Sequence, residues 1–203
     1  MSIFKEIAPE LYQWSEFSDE KQLNFNGWFI PKHLGSTENI AIDPPKLSNH
    51  DLKQMNNMGG VQKIIITNQH HIRWATNLQE KFNASIMINI NETKELNLKN
   101  YTTFSNDCIL AGFLQTIVVP NNKTLGETAL YWAERNILIL GDALIGDPAG
   151  HLRLLPDEKY ADVQRARDGI KILLNYDFDI LLLGDGNSIL EGAKTEVSNF
   201  SNQ

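Results

Sequence analysis

Two four-residue runs, Ile137–Leu140 (ILIL) and Ile180–Leu183 (ILLL), constrain the fold of this chain more than any other feature. A strand points alternate side chains to opposite faces, so a strand that is apolar at every position must be covered on both faces. Such strands need further layers outside their sheet, and the sequence offers helices for the purpose. After an apolar strand at Val61–Thr67, apolar residues recur at helical spacing from His71 to Phe82, and Ala84–Ile88 reads as a strand again. This is a βαβ unit. A second helix is expected from Tyr160 to Asn175 and a last one from about Ile189.

The first third of the chain reads differently. Glu10–Trp14, Asn24–Ile30 and Glu38–Ile42 are rich in aromatic and β-branched residues and are separated by Gly, Asn and Ser, which predicts a meander of strands. Pro44-Pro45 ends it, and Ser48 with Asp51 forms a capping box for a helix that stops at Gly59-Gly60. Beyond a polar stretch at 91–106, strands are expected at Cys108–Leu110, Thr116–Val119, Thr128–Trp132 and Asn136–Leu140. The fold class is therefore α/β (α+β) in packed layers, and 203 residues suffice for one domain spanning 1–203.

Charge narrows the partners. Eighteen Lys and Arg against 25 Asp and Glu give a net charge of −7 with no basic run, which argues against a nucleic-acid partner. Residues 1–14 contain no continuous apolar segment and no stretch reaches membrane-spanning length, so no membrane association and a cytoplasmic location are expected. The single cysteine, Cys108, reads as a small buried hydrophobe rather than a nucleophile.

The chemistry-bearing residues sit where strands end. In order they are Asp43; Thr67 followed by Asn68-Gln69-His70-His71-Ile72-Arg73; the turn Asn122-Lys123-Thr124-Leu125-Gly126; Gly141-Asp142; and Gly184-Asp185-Gly186. This series resembles the metallo-β-lactamase superfamily over nearly the whole chain. The resemblance implies a four-layer αββα sandwich with its metal-binding loops at one edge of two packed sheets. The family's second motif reads THxHxDH; here Asn68 stands in the first histidine slot, His70 keeps the second, Ile72 replaces the aspartate and Arg73 the third histidine. Lys123 falls where the next histidine belongs, Asp142 matches the bridging aspartate, and Asp185 stands in the slot of the last histidine. The resemblance gives Asp43 a structural part, bracing the loops by hydrogen bonds. It makes His151 a candidate for substrate contact in the loop after Asp142.

Three readings follow. In the first, the dinuclear zinc centre is lost and no metal is bound. Arg73 then pairs with Asp185 or Asp142, Lys123 pairs with Asp142, and the cleft binds a small-molecule ligand or serves a structural role without catalysis. In the second, His70, Asp142 and Asp185 hold one zinc, manganese or iron ion, with His71 as a further helper, and hydrolyse an ester, thioester or phosphodiester. A third possibility uses His70 as a metal-free base, with Arg73 or Lys123 holding an anionic group. His71 itself is expected to open the following helix and to point away.

Overall fold

The meander forms, preceded by one further strand. In the computed structural model, which describes residues 4–32, 36–96 and 98–202, the first sheet runs in chain order across its width. Its strands are β1 (Lys5–Ala8), β2 (Leu11–Ser18), β3 (Leu23–Ile30), β4 (Ile40–Ile42), β5 (Lys63–Ile66), β6 (Ser85–Asn89) and β7 (Tyr101–Phe104). Pairing is antiparallel from β1 to β4 and parallel from β4 to β7. The later strands are β8 (Ile109–Leu110), β9 (Leu114–Val118), β10 (Thr128–Trp132), β11 (Ile137–Leu140), the short ribbon β12 (Ile145–Gly146) with β13 (Leu152–Arg153), and β14 (Ile180–Leu183). Five of them make the second sheet, in the order β14-β11-β10-β9-β8.

Strand parity sorts the side chains into three cores. Between the sheets lie Leu11, Trp28, Ile42, Ile65, Trp132, Ile137, Ile139 and Leu182. Their neighbours face outward. Ile64, Ile66 and Phe29 pack with Met55 of α1 (Asn49–Asn57) and with Ala75 and Leu78 of α2 (Ala75–Phe82). Leu138, Leu140, Leu181 and Leu183 pack with Ala166 and Ile170 of α3 (Val163–Ile170) and with Val197 and Phe200 of α4 (Ala193–Ser201). The result is the four-layer αββα sandwich. Each large aliphatic side chain buried this way contributes roughly 1.5–3 kcal/mol, which is why runs such as ILIL tolerate no exposed face.

The last helix, expected from about Ile189, starts at Ala193, and three further elements differ from the sequence reading. The helix expected from His71 starts at Ala75, because Gln69–His71 first form a 3-10 turn capped by the Asn68 side chain. The polar stretch at 91–106 contains a 3-10 segment (Ile90–Glu95) and the parallel strand β7. The expected helix from Tyr160 is α3 followed by a tighter 3-10 stretch at Lys171–Asn175. In all three, local capping and tertiary pairing override a periodicity that is weak in polar sequence.

The ribbon β12 fixes the end of β14. Gly146 accepts a hydrogen bond from Asn187 N (2.8 Å) and donates to Asp185 O (3.1 Å), and a Cβ at Gly146 would lie 1.9 Å from Asn187 O. Gly146→Ala is expected to destabilise the protein by about 2–3 kcal/mol, a cost typical of overpacking against fixed backbone. Urea denaturation would show it; a change below about 0.5 kcal/mol would mean that the 185–189 loop shifts freely.

Candidate functional site

The strand ends β4, β5, β11 and β14 converge at one edge of the sandwich and bring a cluster of ionisable groups together. Asp43, wholly buried just past β4, accepts from Thr67 N (2.8 Å), from Thr67 Oγ1 (2.5 Å) and from His71 Nδ1 (2.8 Å). It ties the end of β4 to the loop after β5. In that loop the buried Asn68 accepts from His70 N through Oδ1 (2.9 Å), starting the 3-10 turn, and donates through Nδ2 to Glu127 Oε1 (3.3 Å). The turn rolls His71 inward and leaves His70 exposed.

His71 is the centre of the cluster. With Nδ1–H given to Asp43, its Nε2 lies 3.2 Å from Asp142 Oδ1 and 4.0 Å from Asp185 Oδ1. Burial and the Arg73 guanidinium oppose a charge on this ring, but Asp142 and Asp43 outweigh them and raise its pKa to about 10. A pKa that high favours the imidazolium at neutral pH, with Nε2–H directed to Asp142 and the Arg73 guanidinium, 3.1 Å from Nε2, as its like-charged neighbour.

Arg73 holds an αL backbone conformation (φ 42°), unusual for a residue with a side chain. Its guanidinium bonds Asp185 Oδ1 (2.5 Å), Asn26 O (2.9 Å) and Gly184 O (3.3 Å), and stacks over the Phe25 ring at 4.7 Å from the centroid. One side chain therefore joins β3, the loop after β5 and the end of β14. Lys123, on the turn between β9 and β10, reaches Asp142 Oδ2 at 2.7 Å. Burial works against the Asp142 charge, yet His71 and Lys123 hold its pKa far below the usual carboxylate range. At Asp185 burial prevails over His71 and Arg73, and the pKa is raised.

Beneath Asp142 lies Glu127, wholly buried, accepting from Asp142 N (2.9 Å) with Oε1. Burial, then the Asp142 charge, raise its pKa to about 8, which favours the protonated acid at pH 7. Three carboxylates (Asp43, Asp142, Asp185) then face three cations (His71, Arg73, Lys123), and the cluster balances internally.

A family model of the metallo-beta-lactamase superfamily matches residues 4–202. The chain belongs to that superfamily. Among solved structures it is similar to a metallo-beta-lactamase from Pontibacter korlensis (TM-score 0.77, 13% identity, 100% of both chains covered). It is also similar to a beta-lactamase domain protein from Burkholderia ambifaria (TM-score 0.74, 13% identity, 98% of this chain and 72% of that one). A third is a metallo-beta-lactamase family protein from Thermus thermophilus (TM-score 0.69, 15% identity, 97% and 80% covered). At such identities the likeness concerns the fold alone. No curated protein sequence matches the chain.

Within this superfamily fold, the strand-end residues named from sequence fall at one edge with two departures. Asn68, Arg73, Lys123, Asp142, Asp185 and Asp43 meet there. Ile72 packs instead toward the α1 and α2 layer. His70 is exposed; its partial desolvation, followed by the Lys123 charge, lowers its pKa. The group whose ligand atoms lie within 4.8 Å of one another is His71, Asp142 and Asp185, so the alternative metal set needs His71 in place of His70. His71 does not point away, because Asn68 caps a turn that ends on it. His151 sits exposed in the ribbon's loop, with no side-chain hydrogen bond or ion pair among the described residues. Glu127 carried no signal beyond an acid following Gly126. No helix among the described residues is long and apolar enough to cross a membrane.

Proposed function

We propose that this superfamily member works without a metal, with Arg73 and Lys123 standing in for the zinc ions and the cleft binding a small ligand in the cytoplasm rather than running zinc-dependent hydrolysis. The observation that carries this reading is the double ion pair, Arg73 to Asp185 and Lys123 to Asp142. A dinuclear centre does not fit the residues present. Asn68 is spent on its cap and on Glu127, Ile72 faces away, and an arginine and a lysine offer no lone pair while charged.

A single ion among His71, Asp142 and Asp185 is the rival reading, favoured by the proximity of their ligand atoms. It meets competition from both side-chain cations: Arg73 Nη2 lies 3.1 Å from His71 Nε2 and holds Asp185 Oδ1, and Lys123 holds Asp142 Oδ2. A divalent cation would add two charges to a cluster already balanced, and would have to displace both side-chain cations.

Elemental analysis decides between them. After expression with added zinc, manganese and iron, the purified protein is expected to carry far less than one metal ion per chain. About one ion per chain, lost in a His71→Ala, Asp142→Ala double variant, would establish the mononuclear reading and direct substrate screening to esters and phosphodiesters.

A further inference from the structure

Beside the ion-pair cluster, with Asn26 as the shared wall, runs a groove of about 720 Å³. That volume lies within the ~300–1,000 Å³ usual for small-molecule sites. Asn26 is fully engaged: Oδ1 accepts from Gln13 Nε2 (3.0 Å) and Ser15 Oγ (2.6 Å), and Nδ2 donates to Leu183 O (2.7 Å) and Gly186 O (2.8 Å). Asn26 itself therefore has nothing left to offer a ligand. Among the other lining residues two kinds of group stand out. Lys5 and Lys46 line the groove, and among the described residues neither ammonium has an ion pair or hydrogen bond. Phe17 and Leu190, each 54% exposed, present apolar surface to the same space.

Among the described residues that line the groove, the one acid is Glu16, whose Oε2 accepts from the Lys46 backbone N–H (3.1 Å). Two lysines against one glutamate give this patch a positive balance in a chain of net charge −7. We infer that the groove binds a small amphipathic carboxylate, its anionic head on Lys5 and Lys46 and its short apolar chain across Phe17 and Leu190. A neutral amphiphile would leave the two lysines without a counter-charge, and a bare anion would leave the apolar surface wet. The site is separate from the cluster and does not depend on whether the cluster takes a metal.

Titration of the isotope-labelled protein with sodium octanoate, followed by amide chemical shifts, tests this. Saturable shifts are expected at residues 5–7, 13–17, 24–26, 46–48 and 186–190. Affinity should fall about tenfold in a Lys5→Ala, Lys46→Ala double variant and severalfold in Leu190→Ser, and 1-octanol should bind at least about tenfold more weakly. All three substitutions are at the surface and leave the core intact. Absence of shifts, shifts confined to 70–73, 123–126 and 142, or equal binding of octanol and octanoate would each overturn the assignment.

Discussion

Arg73→Ala is expected to destabilise the protein by about 3–5 kcal/mol, the range found when one partner of a buried ion pair is removed. The side chains of Arg73 and Asp185 are only 10% and 11% exposed, so solvent screens the loss little. The truncation strands Asp185 next to Asp142, removes the bonds to Asn26 O and Gly184 O, and uncovers the Phe25 ring. Arg73→Lys should recover only part of the loss, because a single ammonium cannot span three acceptors as a planar guanidinium does. Urea denaturation measures both. The same variant has a second readout: combined with Lys123→Ala it should gain affinity for zinc, since His71, Asp142 and Asp185 then lose their competing cations. A stability loss under about 1 kcal/mol in Arg73→Ala would show that the arginine does not hold the strand ends together.

The second large effect is a fall in stability as pH rises from about 5 to 10. Glu127 has its pKa raised from 4.5 to about 8 in the fold, and His71 from 6.5 to about 10. A group whose folded pKa is raised binds its proton more tightly in the native state. Its contribution is complete below the unfolded value and is lost as pH rises through the folded one. For Glu127 that window runs from 4.5 to about 8, and for His71 from 6.5 to about 10. Both act in the same direction. Asp142 has the opposite sign: its depressed pKa supplies stability above 3.8 that is lost only in strong acid. Because the three groups interact, their contributions do not add in full, and a combined loss of at least about 2 kcal/mol between pH 5 and 10 is expected. Melting temperature against pH would display it, and Glu127→Gln should flatten the lower part of the slope. A melting temperature that rises or stays level over this range would show that His71 and Glu127 do not hold their protons as the geometry implies.

Much of the fold was legible because it depends on properties that strands carry alone. ILIL and ILLL announce burial on both faces, and the outer layers follow from that. Capping was legible too where donor and acceptor are close in sequence, as with Ser48 and Asp51 at the start of α1. Strand β7 was not, because Tyr101–Phe104 is half polar and becomes a strand only by pairing with β6.

For the site, the sequence determined the inventory: two basic residues and two aspartates at the strand ends, where the superfamily has imidazoles and carboxylates around metal. The tertiary structure decided which side chains meet. His70 and His71 are adjacent and chemically identical, and the resemblance to the superfamily's second motif favoured His70. The Asn68 cap tightens the chain into a 3-10 turn, and that rotation buries His71 against Asp43 and leaves His70 at the surface. Glu127 likewise gains its proton only because folding removes it from water and sets it beside Asp142. The cap is local, but the charge of either side chain is not: it depends on neighbours brought from β4, β11 and β14.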